Sequence, residues 1–183
     1  MKRKNKVIII AEAGVNHNGS IEMAKKLIEV AADAKADYVK FQTFKADALL
    51  IKNAQKASYQ KKMTDVNESQ YEMLNKLELK KSDHIELIDH CKKNNIKFLS
   101  TPFDVNSIDL LMSLDIPLFK IPSGEITNFP YLEYIGKKSK PIIMSSGMAS
   151  LSEVGQALEV LINSGSQIED ITVLHCNTEY PTP

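Results

Sequence analysis

Two lysines stand where lysines are costly. Lys40 lies inside YVKFQT and Lys120 inside PLFKI, each within a short run of otherwise apolar residues. A buried ammonium is unfavourable unless acceptors or a counter-charge meet it, so both are expected to point at an anion or a carboxylate. An ion pair with Glu12 or Glu125 would serve as well, and a desolvated lysine can also form a Schiff base. Hydroxyls follow at the ends of neighbouring runs: Thr101 after KFLS, Ser123 with Gly124 after PLFKI, and Ser145 with Ser146 and Gly147 after PIIM. Hydroxyls and backbone N–H groups near helix starts suit phosphate. Either serine–glycine element alone reads as a turn. Both together, beside two lysines, read as a phosphate pocket. Glu12 and Glu125 are carboxylates at run ends, able to act as a base or hold a substrate hydroxyl; Glu125 could instead cap the helix after it.

The four histidines are less informative. His17 in NHNG reads as a hydrogen-bonding loop residue rather than a metal ligand, because it has no partner ligands in sequence. His84 and His90 are expected on a solvated helix surface. His175 sits on the last strand run, and its neighbours Leu174 and Cys176 do not decide which way it faces.

The elements that must position these groups follow from periodicity. Val7–Ala11, YVKFQT, KFLS, PLFKI, PIIMS and ITVLHC read as strands, the first an unbroken apolar run typical of a parallel strand covered on both faces. Between them lie helical patterns. Ser20 is expected to cap a helix to about Ala34 with Met23, Leu27, Ile28 and Ala31 on its apolar stripe. SQYEMLNKLEL and SDHIELIDHCKKNN follow, the second capped at Ser82 with Ile85, Leu87, Ile88 and Cys91 inward. Val105–Leu114 and Tyr131–Lys138 come next, then a helix to Asn163 opened by the capping box of Ser150 and Glu153. Phe44 to Glu68 is polar, lysine-rich and without a clear period, and so long an irregular connection is usually functional.

Site residues after every strand, and no GxGxxG fingerprint, favour a closed (β/α)8 TIM barrel over a doubly wound sheet. A barrel takes about 250 residues, so 183 residues are expected to supply about six β/α units of an α/β barrel. The 23 basic residues balance 23 acidic ones, which offers no field for nucleic acid or an anionic membrane. No apolar run approaches the roughly 20 residues a spanning helix needs. The basic start MKRKNK lacks a signal-peptide pattern after it, and Cys91 and Cys176 are not expected to pair; the chain is expected to be cytoplasmic.

Six strings, AEAGVNHNGS, DYVKFQTF, FLSTPFD, FKIPSGEITNFP, PIIMSSGMAS and LHCNTEYPTP, together resemble the N-acetylneuraminate (sialic acid) synthase family, which includes legionaminic and pseudaminic acid synthases. The resemblance runs from Val7 to Pro183. It implies a TIM-barrel transferase that condenses phosphoenolpyruvate with N-acetylmannosamine or a related N-acetylated amino sugar, releasing phosphate. It also implies a divalent metal (manganese or magnesium), a small antifreeze-like C-terminal domain absent from residues 1–183, and a homodimer. Residue by residue, Lys40, Thr101, Lys120, Ser123 and Ser145 match positions holding phosphoenolpyruvate. Glu12, Gln42 and Tyr180 match positions contacting the sugar, and Glu125 matches the carboxylate beside the reacting carbons. Asn177 or Thr178 makes a further contact, since the family's usual Asn falls at Thr178 here. The metal-binding histidines fall beyond Pro183, so the chain alone is expected to be inactive and prone to associate. The competing readings are a Schiff-base aldolase or lyase using Lys40 or Lys120, and a non-catalytic fragment.

Overall fold

A computed structural model describes residues 7–49 and 69–178. They form two compact units, one built up to Gln42 and again to Leu99, the other from Thr43–Leu49 and from Ser100 onward. The alternation expected from sequence is present: β1 (Ile10–Gly14), α1 (Ile21–Asp33), β2 (Tyr38–Thr43), α2 (Ala46–Leu49), α3 (Gln70–Lys76), α4 (Lys81–Lys93), β3 (Lys97–Pro102), α5 (Val105–Ser113), β4 (Phe119–Ile121), α6 (Phe129–Gly136), β5 (Ile142–Ser145), α7 (Leu151–Asn163) and β6 (Ile171–Leu174). The strands form two three-stranded sheets, β1-β2-β3 and β4-β5-β6. Pairing is parallel between β1 and β2, β4 and β5, and β5 and β6. The long segment expected as irregular opens with α2; the rest of it, residues 50–68, lies outside the described residues.

In the first unit the opening strand sits further along than its apolar run suggests. Val7, Ile8 and Ile9 are exposed, and pairing begins at Ile10 opposite Tyr38. The strand then runs through Glu12 and ends in a bulge, Gly14 lying opposite Phe41 with φ +55°. Only glycine enters that left-handed region without penalty. Helix α1 is capped as expected, Ser20 Oγ accepting the Met23 N–H at 3.2 Å, but Ala24 is buried where Met23 was expected.

The cap of helix α4 is Lys80, two residues before the expected Ser82. Asp83 accepts the Lys80 N–H at 2.7 Å, so Ser82 lies inside the first turn and the buried stripe becomes His84, Leu87 and Cys91. His84 is therefore core, against the expectation of a solvated surface; its Nδ1–H donates to the Lys80 carbonyl at 2.8 Å. His90, on the same helix, meets Glu29 of α1 at 3.0 Å. Ile85 is exposed. Phe41 stacks on Phe98 at 5.6 Å, His84 meets the Phe98 ring edge-on, and His17 lies 6.2 Å from Phe41.

In the second unit Phe119, Ile121, Ile142 and Met144 of the strands and Leu111, Leu132, Ile135 and Leu161 of the helices are all fully buried. Asp104 caps α5 through the Ser107 N–H at 2.8 Å, and the capping box of Ser150 and Glu153 starts α7 as expected. Strand β6 ends at Leu174, leaving His175 exposed and beyond it. Both cysteines are free.

His17 makes folding acid-sensitive. It is fully buried, its Nδ1 accepts the Gly19 N–H at 3.1 Å, and its Nε2 has no hydrogen-bond partner among the described residues. Burial pushes its pKa below 6.5; the Asp83 carboxylate opposes this and His84 adds to it. Above 6.5 both the folded and unfolded forms are neutral. As pH falls below 6.5 the unfolded chain binds the proton first, so stability drops until the lower folded pKa is passed. Thermal unfolding followed from about pH 7.5 to about pH 5 should show a smaller acid loss in His17→Gln than in the wild type, and an unchanged loss would contradict this assignment.

Candidate active site

The first unit carries Glu12, Lys40 and Gln42. Register explains why they meet. Glu12 and Lys40 are opposite each other across the β1–β2 ladder, and residues two apart on a strand share a face, so Gln42 lies on the same side as Lys40. Lys40 Nζ is 2.6 Å from Glu12 Oε2, the lysine being largely buried and Glu12 half-exposed. The ion-pair reading of Lys40 is thus realised in this structure. A Cβ placed on Gly14 would sit 3.2 Å from Glu12 Oε1 and 3.8 Å from Gln42 Nε2, so both side chains converge over the bulge.

The second unit carries a larger cluster. Lys120 is buried in β4 opposite Ile143 of β5, and Ser145 lies two residues further along β5. That diagonal brings Lys120 Nζ to 2.5 Å from Ser145 Oγ, and the ammonium also donates to the Ile121 carbonyl at 2.9 Å. Ser123 follows in a single 3-10 turn, and its Oγ accepts the Gly147 N–H at 3.1 Å. A Cβ at Gly147 would lie 2.9 Å from both Ser123 Oγ and Thr178 Cγ2, and 3.4 Å from the Asn177 carbonyl carbon. Glycine is required there by closeness, and Asn177 and Thr178 both border the same loop. Ser146 Oγ donates to the Leu174 carbonyl at 2.7 Å. An ammonium, two hydroxyls and a glycine N–H at the ends of two paired parallel strands can together bind a phosphate or carboxylate.

Thr101 is buried at the end of β3, and the backbone around it is held on each side. Ser100 and Thr43 hydroxyls share a 2.6 Å hydrogen bond, the Phe103 N–H donates to the Thr43 carbonyl, and Tyr131 OH donates to the Pro102 carbonyl at 2.7 Å. Glu125 does not cap α6. Asn128 does, and its amide donates to Glu125 Oε2 at 2.6 Å. Tyr180 lies outside the described residues.

Sequence reasoning missed Asn128, Tyr131 and Cys176. The signal for Asn128 was its spacing three residues after Glu125; nothing local marked Tyr131. Cys176 Sγ lies 3.8 Å from the same Leu174 carbonyl that Ser146 uses. Partial burial raises its thiol, but the Ser146 N–H, the Ser145 hydroxyl, the Gly147 N–H and the Lys120 charge outweigh that and hold the pKa below its ordinary value. Burial pushes the Cys91 thiol up to about 12. Because the thiolate is the nucleophile, iodoacetamide should label Cys176 well before Cys91, and inorganic phosphate should slow the reaction several-fold by taking the same donors. Equal labelling of the two cysteines would overturn this reading of the cluster.

Anion-binding groups gathered at the C-terminal ends of parallel strands define an α/β ligand-binding domain. The pattern of the NeuB family matches residues 27–183, and the chain belongs to that family. It is 59% identical over 178 residues to an N,N'-diacetyllegionaminic acid synthase of Campylobacter jejuni, covering 97% of this chain and 53% of that protein. A Legionella pneumophila protein of the same name is 49% identical over 175 residues, covering 94% and 49%. Among solved structures, an N-acetylneuraminic acid (sialic acid) synthetase from Leptospira borgpetersenii, in complex with citrate, superposes with a TM-score of 0.81 at 32% identity, covering 98% of this chain and 57% of that one. The chain therefore spans about half the length of these relatives.

Proposed function

We propose that this chain is the first part of a (β/α)8 barrel that condenses phosphoenolpyruvate with an N-acetylated amino sugar, giving a nonulosonic acid and inorganic phosphate. The observation that carries the proposal is the Lys120–Ser145 pair with Ser123 and the Gly147 N–H beside it, in a chain of the NeuB family. N,N'-diacetyllegionaminic acid is the first product to test, because two relatives carry that name at 59% and 49% identity.

The enol carbon of phosphoenolpyruvate bonds to the aldehyde carbon of the open-chain sugar, whose oxygen takes a proton. Positive character develops on the carbon bearing the phosphate. Water adds there and loses a proton; the resulting hydroxyl then forms the ketone C=O, its proton passing to the departing phosphate as the C–O bond to phosphate breaks. Lys120, Ser123, Ser145 and Thr101 hold the phosphate and carboxylate of phosphoenolpyruvate, strengthened by burial at the strand ends. By the family resemblance Lys40, in the first unit, is also assigned to phosphoenolpyruvate. Lys40 Nζ is held by Glu12 Oε2 at 2.6 Å. Glu12, Gln42 and Tyr180 are assigned to the sugar acceptor by the family resemblance. Asn177 or Thr178 adds a contact, and Glu125 steers the attacking water.

Among the described residues no group of three or more His, Cys, Asp and Glu could hold a metal ion, so these residues do not themselves fit the divalent metal (manganese or magnesium), and no step is assigned to one. Among them, too, no helix is long and apolar enough to cross a membrane. A cytoplasmic homodimer, with an antifreeze-like domain beyond these residues, completes the proposal.

Phosphate release from phosphoenolpyruvate, with 2,4-diacetamido and N-acetylmannosamine acceptors and with or without manganese, tests the reaction in the chain carried to the length of its relatives. Turnover with a diacetamido sugar is expected. Lys120→Met should lower kcat/KM by about a hundredfold or more, as loss of a charged phosphate contact does. Borohydride should trap no pyruvate adduct; an adduct on Lys40 or Lys120 would establish the Schiff-base chemistry instead.

A further inference from the structure

Asn128 does two things with one side chain. Its amide nitrogen donates to Glu125 Oε2 at 2.6 Å, and its amide oxygen accepts the Tyr131 N–H at 3.4 Å, capping α6. Both ends are fixed by chemistry. An ionised carboxylate only accepts and a backbone N–H only donates, so one orientation of the amide satisfies both partners. A cap alone would be served equally by Ser or Asp. Serine is too short to reach back as a donor, however, and aspartate would face Glu125 with a like charge. Asparagine meets both demands.

The cap is itself anchored. Tyr131 is buried, and its hydroxyl donates to the carbonyl of Pro102, the residue after Thr101. Burial, with the nearby Glu125 and Asp104 carboxylates, pushes that hydroxyl pKa up, so it remains a donor. The first turn of α6 is thus tied to the end of β3, and Asn128 holds Glu125 from that fixed turn. Glu125 is half-buried and lies in a short 3-10 turn, where its carboxylate would otherwise sample several rotamers.

We propose that Asn128 is a positioning residue for Glu125, setting the carboxylate's orientation for the water-addition step while its other end caps the helix. This rests on the role given to Glu125 under the proposed reaction. The test compares Asn128→Ser, Asn128→Asp and Glu125→Gln, and the Asn128→Ser/Glu125→Gln double variant, in the chain carried to the length of its relatives. Both Asn128 replacements keep a capping oxygen, so melting temperatures should stay within a few degrees of the wild type. The expected result is a kcat lower by about tenfold or more, the effect of losing one preorganising contact, with KM for phosphoenolpyruvate unchanged. In the Glu125→Gln background, Asn128→Ser should cost nothing further. Wild-type kcat in Asn128→Ser, or an equal loss in both backgrounds, would overturn the proposal while leaving the reaction intact. Wild-type kcat in Glu125→Gln would remove the role given to Glu125 and the positioning role with it.

Discussion

An ammonium buried inside a strand constrains everything around it. Lys120 lies in β4 at 7% exposure, where an isolated charge would cost several kcal/mol. The Ser145 hydroxyl and the Ile121 carbonyl both accept from the ammonium. The register of β4 against β5 sets Lys120 opposite Ile143, and the diagonal from it brings Ser145 to the ammonium.

Lys40 meets a carboxylate. Its register partner is Glu12, and the two form a direct ion pair. The bulge at Gly14 keeps Glu12 beside Gln42. Lys120 is bonded to the Ser145 hydroxyl and the Ile121 carbonyl, and Lys40 to the Glu12 carboxylate. Both arrangements follow from parallel pairing, which stacks polar residues at the same ends of successive strands.

Most of the alternation and the polar strand ends were legible because apolar runs, caps and glycines act locally. Ser20, Ser150 and Glu153 behave as their spacing says. What was not legible depends on pairing or on competition between caps. The run Val7–Ile9 is apolar enough to be a strand, yet pairing starts at Ile10 because Tyr38 sets the register. Ser82 is a good cap by type, but Asp83 reaches the Lys80 N–H and moves the helix start, which turns His84 into the core. For Glu125, the choice between capping and chemistry depended on Asn128, whose amide takes the cap and holds the carboxylate. The choice between Asn177 and Thr178 stays open to substitution, since both border Gly147.

The most direct measurement is a crystal structure of this chain soaked with phosphoenolpyruvate. The account predicts the phosphate or carboxylate against Lys120 Nζ, Ser145 Oγ, Ser123 Oγ and the Gly147 N–H, within hydrogen-bond distance of each. Ligand ordered elsewhere, with none of these four groups touching it, would contradict it.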